Sequence, residues 1–451
     1  MTVKICNSLP SVQFPTDSEV RRILVQRIDE QKQAVGIVVG MVSPKGRRVV
    51  SHGSLGVMDP RPVNGETVFE IGSVTKTFTA LLLAEMSIRG EIGLDDPVAH
   101  YLPKGVTVPE RADKAITLAD LATHFSGLPR LPDNMPFGDR SNPYADYTLD
   151  LLYDFLSNHQ PRRDTGASWE YSNLGYGLLG HVLALRAGCD YETLVRDRIL
   201  VPLGMTNTAV TLSTDMRSRL AIGHSASLEA VPNWDLPTLA GAGALRSTVN
   251  DMLTYLEMAL GILDTPLRDA LNGQLATRRP IGTDDNSMAL GWPIARNGDT
   301  EFVRHGGGTG GYRSFVGFVP QSRIGVVVLS NTSADLGVDD IAMHLLNPEV
   351  PLAIPPKQRV AIEVDPNLYH RYVGRYRLAD DFILNVSQED SRLFVQASGQ
   401  DRVELFPESK REFFCKNVNA QISFEESGQS HAERLTLHQG GRDRTAFRLD
   451  T

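Results

Sequence analysis

Four prolines between Asn347 and Pro356, in NPEVPLAIPPKQR, cut this chain into two stretches of different character. Proline fixes φ and removes a backbone donor, so neither a helix nor an inner strand runs through such a segment. Beyond it, short alternating runs follow one another: YVGRYRL, FILNVSQ, RLFVQAS, VELFPES, REFFCKN, AQISFEE, ERLTLHQ and TAFRLD. Alternation of period two puts the apolar side chains on one face of a strand. A series of such strands with no helix between them predicts an antiparallel barrel or sandwich. The division implied is a first domain over residues 1–346, a Pro-rich linker over 347–364 and a small antiparallel barrel or sandwich over 365–451.

The first stretch mixes both kinds of pattern. Val35 to Val42 and Arg48 to Leu55 read as strands joined by the turn-like SPKG. SFVGFVP from Ser314 and IGVVVLS from Ile324 read as a second hairpin. Helical patterns lie between these ends, at Leu149 to Asn158, Gly175 to Ala187 and Thr248 to Leu260. The fold class predicted is therefore α+β. Chain-distant strands form a mixed antiparallel sheet flanked by helices, and the small all-β unit follows.

Composition narrows the function. Apolar content of 41% and charged content of 22% describe a globular chain able to build its own core. A formal charge of −9, with no basic stripe, argues against nucleic acid as a partner. Cys6, Cys189 and Cys415 have neither disulfide-framework nor zinc-site spacing, so they read as buried thiols. No metal and no cofactor is implied. The N-terminus lacks a charged start followed by an apolar run, and no apolar run is long enough to span a bilayer. A cytoplasmic location is expected, or a periplasmic one if a leader has been removed.

Three short motifs carry chemistry. In FEIGSVTKTFTALLLAEM, Ser73 and Lys76 stand three apart at the mouth of a helix ending near Gly90. Residues three apart share a helix face, so an amine could take the proton that makes a serine nucleophilic. The plainer reading is a capped helix with a stray lysine. The second motif is Tyr171-Ser172-Asn173, just ahead of a glycine-marked helix. A tyrosine beside a cationic lysine can titrate low enough to exchange protons with substrate, and an asparagine amide can hold both the lysine and a carbonyl. A core tyrosine is the alternative. The third is RHGGGTGGYRSFVGF, where His305 precedes Gly306, Gly307 and Gly308. Glycines there let a strand approach a substrate closely, and the Gly308 amide could join that of Ser73 in an oxyanion hole. A flexible turn is the alternative.

In this order, and with ITLADLATHFSGLPR, VPLGMTNT, GAGALRSTVNDM and ALGW around them, the motifs resemble the serine β-lactamase and penicillin-binding-protein superfamily. The resemblance is to its class C branch, which includes family VIII carboxylesterases and D-amino-acid peptidases, and it runs from about Val20 to Ser333. It implies that Ser73 is acylated, Lys76 accepts its proton, Tyr171 relays that proton to the leaving group, and Asn173 orients lysine and substrate. His305 stands where the family usually has a lysine. Asn331 matches a carboxylate contact of class C enzymes, or is a turn asparagine. Tyr312 and Arg313 are candidates to read a substrate carboxylate or acyl chain. Trp234 is a candidate wall of the pocket, or a packed loop residue. The loops 128–147 and 207–240 would shape that pocket.

The C-terminal module resembles the lipocalin-like barrel of several peptidase and penicillin-binding relatives, which borders the active-site mouth or mediates assembly of copies. The resemblance implies a serine acyl-hydrolase acting on small esters, β-lactams or peptides with D-residues. The alternatives are a penicillin-binding-type thioesterase that cyclises peptides by aminolysis, a D-alanyl-D-alanine carboxypeptidase, and a penicillin-binding sensor that acylates without turnover. The expected partner is a small-molecule or peptide acyl substrate.

Overall fold

The computed structural model describes residues 14–136 and 138–355 and, beyond them, 359, 361–379, 382–398, 400, 402–416, 420–425, 431–439 and 442–449. Contacts divide the chain into two compact units, Met1–Ile354 and Pro355–Thr451.

In the first unit the strands from its two ends lie side by side. A nine-stranded sheet runs in the order Asp59–Pro62, Gly46–Gly56, Gly36–Ser43, Ile324–Ser330, Arg313–Val319, Thr300–Gly308, Pro293–Asn297, Thr283–Ala289 and Arg278–Ile281. Every pairing is antiparallel, and the two predicted hairpins join through Ile37 opposite Ser330.

The central strands are apolar throughout because both faces are covered, and their alternation sorts side chains between two cores. Val38, Val42, Val303, Val316, Phe318, Val327 and Leu329 face the larger one, with the helices Thr75–Ile88, Asn173–Ala187 and Val249–Ala259. Ile37, Val39, Met41, Phe315, Val326 and Val328 face the smaller one, with Asp17–Val25 and Asp339–Leu346. Full burial of each such side chain contributes about 1.5–3 kcal/mol. On the second face, Arg27 reaches Asp340 at 2.5 Å, joining the two helical ends of the unit.

The helix Thr75–Ile88 is buried from Thr75 to Met86, which explains why its sequence is apolar all round and not striped. It stops at Arg89, and Gly90 takes φ +70°, the left-handed step expected after a helix end.

In the second unit the eight predicted runs form eight strands of a closed antiparallel barrel. Closure is made by Tyr376 and Arg377 of the first strand with Arg448 and Phe447 of the last. Its interior is filled by Tyr369, Tyr372, Tyr376, Phe413 and Phe424. The Arg448 guanidinium donates to the carbonyls of Ala432 (3.0 Å), Val373 and Arg371, within the barrel.

Cys189 and Cys415 are free and only half-buried, which corrects the expectation of buried thiols, and Cys6 lies outside the described residues. Among the described residues no helix is long and apolar enough to cross a membrane.

Candidate active site

Ser73 sits in a one-turn 3-10 segment, Gly72–Val74, between the short strand Phe69–Glu70 and the buried helix. The strand is anchored by pairing with Arg246–Ser247. Gly72 takes φ +48°, and a Cβ built on it would stand 2.8 Å from both N and O of Gly308. The serine turn and the glycine strand are thus in backbone contact, which brings the two amides read as an oxyanion hole to one place.

The Lys76 side chain is fully buried. Its Nζ lies 2.7 Å from the Ala242 carbonyl, 2.9 Å from Asn173 Oδ1 and 3.0 Å from Ser73 Oγ. The first two oxygens can only accept, whereas the hydroxyl can also donate. A neutral amine has two N–H groups and one lone pair, which matches this set with the lone pair facing Ser73. Burial, aided by the Arg130 guanidinium, holds Lys76 well below the ordinary lysine range. In such an arrangement the amine is able to accept the hydroxyl proton.

The Tyr171 ring centroid is 4.8 Å from Lys76 Nζ. Burial raises its phenol to about 12, against opposing pulls from Ser73 and Arg130. That corrects the expectation of a low-titrating tyrosine. A lysine neutralised by desolvation supplies no cation beside the phenol, so Tyr171 rests protonated, as a proton donor. Asn173 gives Oδ1 to Lys76 and donates Nδ2 to Tyr144 Oη at 3.0 Å, which leaves one amide proton for a ligand.

Three residues that the sequence reading did not single out complete the surroundings. Tyr144, from the loop 128–147, packs 5.4 Å from the Trp234 ring. Arg130 lies over Tyr171, with Cζ 5.1 Å from the ring centroid. His124 holds both neighbours of Tyr171: its carbonyl accepts from Glu170 N at 2.9 Å and its Nδ1 from Ser172 N at 3.0 Å. Its backbone is left-handed at φ +63°, and burial holds its imidazole well below the usual range, hence neutral.

His124→Asn keeps an acceptor at the Nδ1 position on a residue that tolerates this backbone, whereas His124→Gln moves the acceptor away. Turnover of a p-nitrophenyl ester should fall about tenfold or more in the Gln variant, the scale of one lost hydrogen bond, and much less in the Asn variant. Equal rates in two folded variants would contradict the clamp.

The glycine strand divides by face. His305 points to the larger core, is 4% exposed, and donates from Nδ1 to the Gly306 carbonyl at 2.7 Å. Burial and the nearby Lys76 lower it to about 3. It is therefore neutral at physiological pH, unlike the lysine that the family usually has at this place. A Cβ on Gly307 would stand 2.2 Å from the Ile71 carbonyl, so this glycine serves close approach of strand to turn. Gly306 and Arg313 belong to the opposite face, near Asp339.

Three further corrections follow from burial. The Arg313 guanidinium donates to the carbonyls of Tyr312 (3.2 Å), Ser333 (3.2 Å) and Thr309 (3.4 Å), so it is tied to the protein instead of open to a substrate. Tyr312 has no exposed surface and donates its hydroxyl to the Ala221 carbonyl. Asn331, equally buried, donates to the Leu55 carbonyl at 3.0 Å and the Ser54 carbonyl at 3.3 Å, tying strand ends together. Trp234 is half-buried. Its Nε1 donates to the Ser141 carbonyl at 2.9 Å, and Asp235 N to Asn142 Oδ1 at 2.8 Å, joining the two loops expected to shape the pocket.

Known proteins resemble the chain over both units. The family model described as Beta-lactamase matches residues 21–346, and that of a domain of unknown function (DUF3471) matches 358–449. The chain is similar to penicillin-binding protein 4* of Bacillus subtilis, 26% identical over 94% of this chain and 97% of that one. It is similar to the D-alanyl-D-alanine-carboxypeptidase/endopeptidase AmpH of Escherichia coli, 29% identical over 71% of this chain and 87% of that one. Among solved structures, a β-lactamase/D-alanine carboxypeptidase from Yersinia pestis superposes with a TM-score of 0.65 at 27% identity, covering 74% of this chain and 99% of that one.

Proposed function

The chain belongs to the beta-lactamase family, and we propose that within it this protein is a serine acyl-hydrolase working through an acyl-enzyme on Ser73. The observation that carries the reading is the partner set of Lys76: two acceptor oxygens and one hydroxyl around a buried amine.

Lys76 takes the Ser73 proton as Oγ bonds to the substrate carbonyl carbon. The oxyanion is held by the amides of Ser73 and Gly308. As the carbonyl bond to the leaving group breaks, the Tyr171 phenol protonates that group, and the Lys76 ammonium returns a proton to the phenolate. In the second half a proton passes from water through the Tyr171 phenol to Lys76, the hydroxide bonds to the acyl carbon, and the bond from that carbon to Oγ breaks as Lys76 returns the proton to Oγ. Asn173 orients the lysine and offers its remaining amide proton to the substrate carbonyl.

Small esters, β-lactams and peptides ending in D-residues all present the carbonyl this machinery needs. The carboxypeptidase reading is favoured as a second one by the relatives from E. coli and Y. pestis that carry that name. Steady-state hydrolysis of nitrocefin, p-nitrophenyl butyrate and a D-Ala-D-Ala peptide, each beside Ser73→Ala, tests the proposal. Turnover of at least one by the wild type and of none by the variant is expected. Undiminished hydrolysis by Ser73→Ala would remove the assignment.

A further inference from the structure

Two cations that the sequence offers to a substrate carboxylate are not available to one: His305 is neutral and buried, and Arg313 is tied to backbone carbonyls. Arg130 is different. Its backbone is fixed beside the catalytic asparagine, because the Arg130 carbonyl accepts from Asn173 N at 3.0 Å and from Leu174 N at 3.2 Å. The preceding Pro129 carbonyl accepts from Ser172 Oγ at 2.7 Å.

From this fixed base the side chain extends over Tyr171, where a cation–π contact steadies it. Arg130 is nonetheless exposed, and among the described residues its guanidinium has neither an ion pair nor a hydrogen bond. Its charge is felt inside the site, since it lowers Lys76 and opposes the rise of Tyr171. A guanidinium is a rigid fork of donors matched to a carboxylate. Here the fork is left open over Tyr171.

We infer that Arg130 is a specificity residue that receives a carboxylate carried by the substrate next to the scissile bond. Acyl substrates whose leaving group bears a carboxylate are therefore preferred over neutral ones. The inference rests on the Ser73 acyl-enzyme reading. It differs from a general tuning of Lys76 by charge, which would act on every substrate alike.

A matched pair of esters separates the cases: the phenyl and the 3-carboxyphenyl ester of one acyl group, with wild type, Arg130→Gln, Arg130→Lys and Ser73→Ala. Wild type is expected to favour the carboxylated ester in kcat/KM by about tenfold or more, the scale of a charge-assisted pair. That preference should fall to about unity in Arg130→Gln, survive in part in Arg130→Lys, and weaken with added salt. A preference unchanged by Arg130→Gln, a wild type that does not discriminate, or equal losses on both esters would each overturn it. Hydrolysis by Ser73→Ala would instead sink the acyl-enzyme reading, whatever Arg130 does.

Discussion

Lys76→Met should fold and slow acylation of Ser73 by roughly 10³-fold, within the usual range for removing a general base. The two side chains are similar in length, and the amine is wholly buried, so an apolar chain fills the same space. What disappears is the lone pair facing Ser73. The Ala242 carbonyl and Asn173 Oδ1 lose a donor, yet desolvating the amine is no longer required. The two effects oppose each other, and the melting temperature should move by only a few degrees. Rapid-quench mass spectrometry with p-nitrophenyl butyrate reads the acylation rate. In the wild type that rate should fall as pH drops through the depressed lysine value, because a protonated amine cannot accept. A Lys76→Met protein that acylates at the wild-type rate would remove lysine from the chemistry.

Gly307→Ala is the second large effect. Its methyl carbon would stand 2.2 Å from the Ile71 carbonyl and 2.3 Å from Ser314 Oγ, which itself donates to that carbonyl at 2.7 Å. The serine side chain can rotate, but the carbonyl belongs to the backbone leading into Ser73. Strand and turn must therefore separate, which pulls the Gly308 amide away from its partner. A fall of about 10²–10³-fold in kcat is expected, as for loss of an oxyanion donor. A stability loss of about 1–3 kcal/mol should accompany it. Gly273→Ala is the control: that glycine lies in the helix Leu267–Ala276 with nothing within 4 Å of an added Cβ. There alanine should stabilise by about 0.4–1 kcal/mol and leave turnover alone. Activity undisturbed in Gly307→Ala would mean that the close approach is not needed.

The contrast between these glycines shows what a sequence can and cannot reveal. Ser73 and Lys76 were legible because three residues is the spacing of one helix face, and the barrel strands because alternation of period two is a strong local pattern. The departures came from residues whose meaning depends on distant partners. Tyr312 and Arg313 stand together at the start of the strand Arg313–Val319, and neighbours there turn to opposite faces. One entered the core and the other the helix Asp339–Leu346 side. Asn331 reads as a polar residue at a strand end, and only the carbonyls of Ser54 and Leu55, far away in sequence, explain its burial. Arg130, Tyr144 and His124 lie in or beside an irregular loop with no period to read. The left-handed backbone of His124 leaves no signature, because histidine adopts it more often than most residues yet only in a minority of cases.

The most direct test of the account is to trap the covalent intermediate and locate it. Wild type would be mixed with p-nitrophenyl butyrate, quenched in acid within milliseconds to seconds, and analysed by intact mass and peptide mapping. The account predicts an acyl group on the peptide containing Ser73 that forms before the steady state, decays as product accumulates and is absent in Ser73→Ala. Turnover with no adduct, or an adduct on any other residue, would contradict it.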